Sequence, residues 1–415
     1  MSKSPGGSRC RGCDAPLTQS FVDLGVTPLC QTHVAPEQLN EMEPFYPLHA
    51  QVCDQCLLVQ LDEYVAPDDI FSEYAYFSSY SDSWLKHAAA YCAMITERRA
   101  LGPASLVVEL ASNDGYLLRN FVDSGIPCLG IEPAANVGEA ARERGVRTVT
   151  EFFGAATARK VREEYGAADL IVGNNVLAHV PDLNDFVEGI GILLAPSGAV
   201  TMEFPHLLRL MESNQFDTIY HEHFSYFSFH TVIDVFHRHG MAIFDVEELP
   251  THGGSLRIYA AHESQEETCE SVDCLLEVER GAGLHGIEAY RDFQPRVDAV
   301  KRDLLSFLID AKREGKQVVG YGAPGKGNTL LNYCGIGTDF IDYTVDRNPY
   351  KQGKYTPGSR IPIVSPDRIA ETRPDYVLIL PWNLRDEIVT SNAFVGEWGG
   401  RFVVPIPALE VIEPA

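Results

Sequence analysis

A chain of 415 residues is too long for a single hydrophobic core and implies two or three domains. Its 45% hydrophobic and 22% charged residues are ordinary for a globular protein, while a formal net charge of −25 disfavours a nucleic-acid backbone or an anionic membrane as partner. A small anionic ligand held by a local cluster of donors stays compatible with that charge. No apolar stretch of signal-peptide length opens the chain and no run of about 18 apolar residues occurs, which predicts a soluble, cytoplasmic protein.

Ten cysteines are present, and four of them form two C-x-x-C pairs, Cys10/Cys13 and Cys53/Cys56. Each pair fits a tight knuckle turn, and together they offer four thiolates to one tetrahedral zinc. A redox C-x-x-C would occur once beside a strand–helix unit, whereas these pairs lie in polar, turn-rich sequence. With all four positions filled by sulfur, such a zinc would hold the fold and do no chemistry. The other six cysteines are scattered singly, as reduced thiols are. Residues 1–66 therefore read as a small zinc-binding module.

The segment after Pro67 turns helical and aromatic, with Tyr74, Tyr76, Phe77, Tyr80 and Trp84 in close succession. Ser105–Leu110 then has the continuous apolar pattern of a buried parallel strand, followed by the turn Ala111–Gly115 and a helix. Strand-like runs at Cys128–Glu132, Asp169–Gly173, Ala199–Phe204, Met241–Val246 and Leu256–Ala261 alternate with helical patterns, the rhythm of a doubly wound α/β domain over 67–280. An acidic, helical connector leads into a second α/β unit, placed at 281–415. It opens with the helix Val297–Arg313, the strand Gln317–Tyr321 and the turn Gly322–Gly327, and continues with strands at Phe340–Val345, Tyr376–Leu380 and Arg401–Val404.

The first strand of a doubly wound sheet delivers a nucleotide-like ligand to its carboxyl edge. The turn there, "ELASNDG", has one glycine where a dinucleotide fold would show G-x-G-x-x-G. It suits S-adenosylmethionine, which carries a sulfonium and an amino-acid end but no pyrophosphate. Glu109 and Asp114 would face the cationic end, with Ser112, Asn113 and Gly115 shaping the turn. Glu132, followed by Pro133, would accept hydrogen bonds from the ribose hydroxyls. Asn174, Asn175 and His179 in "GNNVLAHVPD" fall on the same edge. Either acid alone would be an ordinary strand-end carboxylate; an acid after strand one, another after strand two and a polar turn after strand four favour a methyltransferase.

These motifs, with the double C-x-x-C, "YHEHFSYFS", "HGGSLRIY" and "GYGAPGKGNTLLNY", stand in an order that resembles the sugar C-methyltransferases of antibiotic deoxysugar pathways over nearly the full chain. The resemblance implies three parts: a zinc module, a class I (Rossmann-like) methyltransferase domain, and a C-terminal Rossmann-like α/β domain that contributes to sugar-nucleotide binding. It also implies the reaction, methylation of C-3 of a dTDP-linked 4-keto-deoxysugar. The same resemblance places the catalytic base at His223, with Tyr220, Glu222 and His179 around the sugar. A tyrosine of the Tyr74–Tyr80 segment, with Tyr74 and Tyr76 foremost, would close the pocket.

The chemistry of the histidine stretch agrees with that reading. Carbon becomes nucleophilic only after loss of a proton, and a hydrogen beside a ketone is acidic enough to remove if a base is placed against it and the enolate is stabilised. Histidine is the natural base at neutral pH, a glutamate can orient it, and a tyrosine can donate to an enolate oxygen. His221 and His223 share a face only if the segment is extended, so the residues alone leave open which is the base. A metal site is disfavoured because no third ligand stands at a recognised offset, and an aromatic core segment with satisfied histidines is the plain alternative.

Tyr80, His221 and Arg257 of "HGGSLRIY" are candidates for the sugar side. In the C-terminal domain, Lys326 and Asn328 of the glycine-rich turn, with Lys351, Lys354 and Arg360, are candidates for the diphosphate. The rival readings are an O- or N-methyltransferase on a sugar or small acceptor, and a non-catalytic sugar-nucleotide binding protein. Nothing in the sequence demands more than a monomer.

Overall fold

The computed structural model describes residues 8–66, 79 and 82–413. Tyr74, Tyr76 and Tyr80 lie outside the described residues. The chain divides into two compact units, each assembled from non-contiguous segments: 1–17, 53–207 and 224–285 in the first, 18–52, 208–223 and 286–415 in the second.

The first unit is built on a seven-stranded sheet. Its strands are Val107–Leu110 (β1), Cys128–Ile131 (β2), Thr148–Val149 (β3), Ala168–Asn174 (β4), Leu194–Pro205 (β5), Met241–Leu249 (β6) and Ser255–His262 (β7). They stand in the order β6-β7-β5-β4-β1-β2-β3. The inner pairs are parallel, whereas β7 runs antiparallel to both β5 and β6. Parallel strands buried on both faces need continuous apolar runs, and all four residues of Val107–Leu110 are buried, Glu109 among them. The long strands of this sheet match the sequence expectation. The two-residue strand Thr148–Val149 carries too little pattern to be read from sequence.

One core spans the sheet and the cysteine knuckles. Cys10, Cys53, Cys56 and Leu58 pack in the same buried cluster as Val108, Leu110, Ile171, Phe204 and Phe229. The knuckles are also held by polar contacts. Asn184 Nδ2 donates to the Arg11 carbonyl (2.8 Å), Arg238 to the Gly12 carbonyl (2.5 Å), and Arg11 to the Pro181 carbonyl (2.9 Å). The strand Val59–Leu61 just after the second knuckle pairs antiparallel with Ser225–Tyr226.

The second unit carries a six-stranded sheet of Val318–Tyr321 (β8), Thr344–Val345 (β9), Ile363–Val364 (β10), Tyr376–Ile379 (β11), Arg401–Val404 (β12) and Glu410–Ile412 (β13). Its order is β10-β9-β8-β11-β12-β13, parallel except for the last strand. The strand expected over Phe340–Val345 is reduced to Thr344–Val345, because residues 338–340 form a turn. An antiparallel ribbon, Gln19–Thr27 with Tyr46–Val52, belongs to this unit. Two register irregularities break its alternation, which hides it from a period-two reading of the sequence.

Gly130 in β2 shows how the sheet positions the ligand loop. A Cβ there would stand 2.3 Å from Ser112 Oγ and 2.9 Å from Ser112 Cβ, so only glycine lets the turn after β1 fold back onto β2. Gly130→Ala is expected to destabilise the first unit by about 1–3 kcal/mol, the usual cost of overpacking. It should also weaken S-adenosylmethionine binding, checked by denaturant melts and a cofactor titration.

Candidate functional site

The carboxyl edge of the seven-stranded sheet concentrates buried carboxylates. Glu109 ends the buried run of β1, and the next turn contains three positive φ values: Ala111 (54°), Asn113 (49°) and Gly115 (76°). Asparagine and glycine tolerate that region, whereas alanine in it is a strained backbone of the kind found at ligand sites. Glu132, just past β2, accepts from the Asn113 N–H (2.9 Å) and the Ala134 N–H (2.9 Å), which fixes both the turn and the carboxylate. Each oxygen keeps a second lone pair for another donor. Pro133 lies between Glu132 and the helix Ala135–Glu143.

Charge at this edge is compensated only in part among the described residues. Burial, then the neighbouring carboxylates of Glu132 and Asp114, push the Glu109 carboxyl well above its ordinary range. Its Oε2 is buried with no hydrogen-bond partner among the described residues, as are Asp114 Oδ1 and Ser112 Oγ. The other oxygen of Asp114 is paired with Arg144 (2.5 Å) and accepts from Ser79 Oγ (2.5 Å). Burial also raises Glu132, against the pull of its backbone donors. Three acids, two of them with an oxygen unpartnered among the described residues, and one arginine among them fit a cationic ligand. Glu109 and Asp114 would hold its positive end, and Glu132 its hydroxyls.

Across β4 the polar turn falls where the sequence placed it. Asn174 closes β4. Asn175 (φ 53°) donates its backbone N–H to the Glu203 carbonyl (2.7 Å). His179 ends the short 3-10 turn Leu177–His179, and the carbonyl of its neighbour Ala178 accepts from the Phe224 N–H (2.7 Å).

Sequence reasoning missed a second layer on this edge. Glu203, near the end of β5 and in register with Asn174, is fully buried. It accepts from His87 Nε2 (2.8 Å), Thr251 Oγ1 (2.9 Å) and Arg257 (3.1 Å). Burial works to raise its pKa, but His87 and then Arg257 and Thr251 outweigh burial and hold it below the ordinary range. Trp84 stacks on His87 (4.9 Å between ring centroids), meets His252 edge-on (5.3 Å) and lies 6.1 Å from Tyr116. The available signal was a glutamate inside the strand-like run Ala199–Phe204. Arg257 itself is buried and tied to both Glu203 and Glu247 (3.1 Å each).

The histidine stretch is divided by the fold, with Thr218–His223 in the second unit and Phe224–Ser228 in the first. It is not extended: the His223 N–H donates to the Tyr220 carbonyl (2.9 Å), so the chain turns at His221-Glu222. The two histidines consequently have different surroundings. His221 is buried against Tyr46 and donates from Nε2 to the Pro47 carbonyl (3.1 Å), and burial lowers its pKa. His223 donates from Nδ1 to the Thr218 carbonyl (3.0 Å) and has the Tyr220 ring 4.1 Å away. A carbonyl can only accept, so a neutral His223 carries its lone pair on Nε2. Glu222 is buried, with the Cys30 thiol 3.6 Å from its Oε1.

In the second unit, the glycine turn after β8 leads into the helix Gly325–Cys334. Lys326 donates to Asn383 (2.9 Å), lies over the Trp382 ring and is lowered by burial against the pull of Asp217. Lys351 donates to the Ala323 carbonyl (2.9 Å) within the turn itself. Asn328 is buried and donates to the Cys30 carbonyl (2.7 Å). Lys354 is half-buried, and Arg360 is paired with Glu43 (3.0 Å).

The four cysteines converge in the first unit, all sulfurs within 4.8 Å of one another. Cys10···Cys56 is 3.5 Å and Cys13···Cys53 is 3.6 Å. A zinc–sulfur bond of about 2.3 Å in a tetrahedron gives edges of about 3.8 Å, so the set fits one zinc. Gln60 Nε2 donates to Cys10 Sγ (3.1 Å) and the Gln55 N–H points to Cys53 Sγ (3.4 Å), the kind of donors that surround metal-bound sulfur.

Comparison with known proteins agrees with this geometry. Family models match for a zinc binding domain over 10–71, a methyltransferase domain over 84–246 and a C-methyltransferase C-terminal domain over 250–407. The C-methyltransferase NovU of Streptomyces niveus is 38% identical over 404 residues, covering 97% of this chain and 96% of that protein. Solved methyltransferases from Clostridium acetobutylicum (11% identity, TM-score 0.35) and Anabaena variabilis (14%, 0.35) each cover 43% of this chain, and 92% and 85% of their own. Likeness that low adds nothing to the assignment. The carboxylate-lined edge and the methyltransferase model define a class I S-adenosylmethionine-dependent methyltransferase with a structural zinc module. The chain belongs to the C-methyltransferase family, and is an enzyme that transfers the methyl of S-adenosylmethionine to carbon.

Two outcomes are expected. Cys53→Ser should abolish the thiolate-to-metal absorption of the cobalt-substituted protein and sharply lower the yield of folded chain, since metal binding contributes folding free energy. Glu109→Gln should raise the melting temperature of the cofactor-free protein, because it removes a buried carboxyl that burial and neighbouring carboxylates hold well above its ordinary range. It should weaken cofactor affinity by about 10–100-fold, the worth of a charged hydrogen bond. Because the native pKa of Glu109 is raised, the stability contributed by its protonated form is lost as pH rises. Affinity for the cationic cofactor should rise over the same interval in wild type and stay flat in the variant, measured by calorimetric titration.

Proposed function

We propose that the chain methylates C-3 of a dTDP-linked 4-keto-deoxysugar, with His223 as the base that removes the C-3 proton. The observation that carries the reading is the tautomer of His223: Nδ1–H is committed to the Thr218 carbonyl, which leaves the basic lone pair on Nε2. Removal of the proton beside the 4-keto group gives an enolate whose charge rests on O-4, and the carbanionic C-3 takes up the methyl group. Bound S-adenosylmethionine supplies an electrophilic methyl on a sulfonium. Tyr220, stacked near His223, is the natural donor toward the developing enolate oxygen. Glu222 and His179 are assigned to the sugar side, with Tyr74 and Tyr76 proposed to close over it. His221 has the buried, supporting place its burial suggests.

The glycine turn beside Lys326 and Lys351 is the proposed seat of the nucleotide diphosphate, with Asn328, Lys354 and Arg360 as its further candidates. That the related NovU is named a C-methyltransferase supports a carbon acceptor, as against an O- or N-methyl acceptor.

Incubation with S-adenosylmethionine and a dTDP-4-keto-deoxysugar should give a product heavier by one methylene together with S-adenosylhomocysteine. No turnover with any 4-keto sugar nucleotide would overturn the substrate class. His223→Asn should keep both ligands bound and reduce kcat by roughly two to four powers of ten, the worth of a positioned base. Exchange of the C-3 proton in deuterium oxide should vanish with it, whereas His221→Asn should retain exchange. Exchange that survives in His223→Asn would remove that residue from the role.

A further inference from the structure

A second cluster of metal-ligating side chains lies in the first unit, outside the cysteine knuckles. His230, in the first turn of Phe229–Arg238 (α1), Glu279, in the last turn of Glu270–Gly281 (α2), and His285 bring one ligand atom each within 4.8 Å of one another. The two imidazoles lie 4.5 Å apart between centroids. His230 Nδ1 stands 3.1 Å from Glu279 Oε2. That distance suits a hydrogen bond, and it also approaches the separation of about 3.3 Å expected of two ligands on one tetrahedral zinc with metal–N and metal–O bonds near 2 Å. The cysteine site shows the same signature, its ligands touching in pairs at the edge of a coordination polyhedron.

The surroundings match those of a ligating carboxylate. Glu279 is fully buried, and its Oε1 accepts from His206 Nε2 (2.8 Å) and the Phe229 N–H (2.5 Å), while Oε2 accepts from the His230 N–H (3.0 Å). Such outer donors orient a metal-bound carboxylate. The hydrogen on His230 Nδ1 has a second place to go: as the other tautomer the ring would donate from Nε2 to Thr231 Oγ1, now 3.4 Å away. His285 is exposed, which gives an ion a path in.

We propose that His230, Glu279 and His285 form a second divalent transition-metal site, of two imidazoles and one carboxylate, with zinc as its occupant. Two neutral nitrogens and one oxygen suit zinc or cobalt over magnesium or calcium. A metal there would bind the last turn of α2 to the first turn of α1. It would reach the second cysteine knuckle through Thr231 Oγ1, which donates to the Cys56 carbonyl (3.3 Å).

The test is a titration of the tag-free full chain, stripped of metal, with zinc and separately with cobalt. Two equivalents should bind, the first giving thiolate-to-cobalt absorption and the second only the weaker ligand-field bands of a nitrogen–oxygen site. His285→Ala, at an exposed position, should weaken the second equivalent at least about tenfold, as loss of outer partners alone costs 10–100-fold. It should leave the thiolate signal intact; His230→Ala should do the same. Saturation of wild type at one equivalent, or a second equivalent that persists unchanged in His285→Ala, would overturn the site.

Discussion

A carboxylate taken out of water without a counter-charge stays protonated or waits for a cation, and Glu109 imposes that constraint on the sheet edge. Much around it follows. The turn after β1 folds back against glycine in β2, so Asn113 can reach Glu132. Arg144 offsets Asp114 alone. The sheet edge thus holds buried carboxyl oxygens that lack a partner among the described residues, an arrangement that would suit a cationic ligand. Strain in the backbone at Ala111 is kept at the same spot, where bound ligand can repay it.

The cysteine knuckles obey the same rule with a different charge carrier. Four buried or half-buried thiols facing one another have little to gain from packing alone, and a zinc converts them into thiolates that fix two loops. Because Cys10, Cys53 and Cys56 share a core with β1 and β5, the metal module is part of the methyltransferase unit's interior. Glu203 shows the alternative solution. Its charge is buried as deeply as that of Glu109 but is met by His87, Arg257 and Thr251, so it stays ionised and organises the wall of side chains that includes Trp84.

The histidine stretch shows how far a motif can be read. Its composition points to proton transfer beside a carbonyl but leaves its conformation open, since the two histidines would share a face only in an extended segment. The chain turns at His221-Glu222, and the two rings meet different backbone carbonyls. The tautomer of His221 depends on Pro47, a partner distant in sequence, and that of His223 on a turn back to Thr218, so spacing along the motif could not assign them.

The sequence by itself determined the parts that depend on local pattern. Apolar runs and small-residue turns marked most of the long strands of both sheets. The paired C-x-x-C spacing marked the four-cysteine cluster, and the strand pattern placed the acids at the ends of β1 and β2, where the structure has them. Tertiary structure decided what depends on partners far along the chain. It placed the ribbon Gln19–Thr27 and Tyr46–Val52 with the C-terminal sheet in the second unit and drew Cys10 and Cys13 into the first. It paired Glu203 with His87, left Glu109 Oε2 without a partner among the described residues, and gathered His230, Glu279 and His285 from separate segments. Periodicity reports which face of a strand or helix is buried; it carries no information about which distant side chain will meet a buried charge, and that pairing fixes the chemistry here.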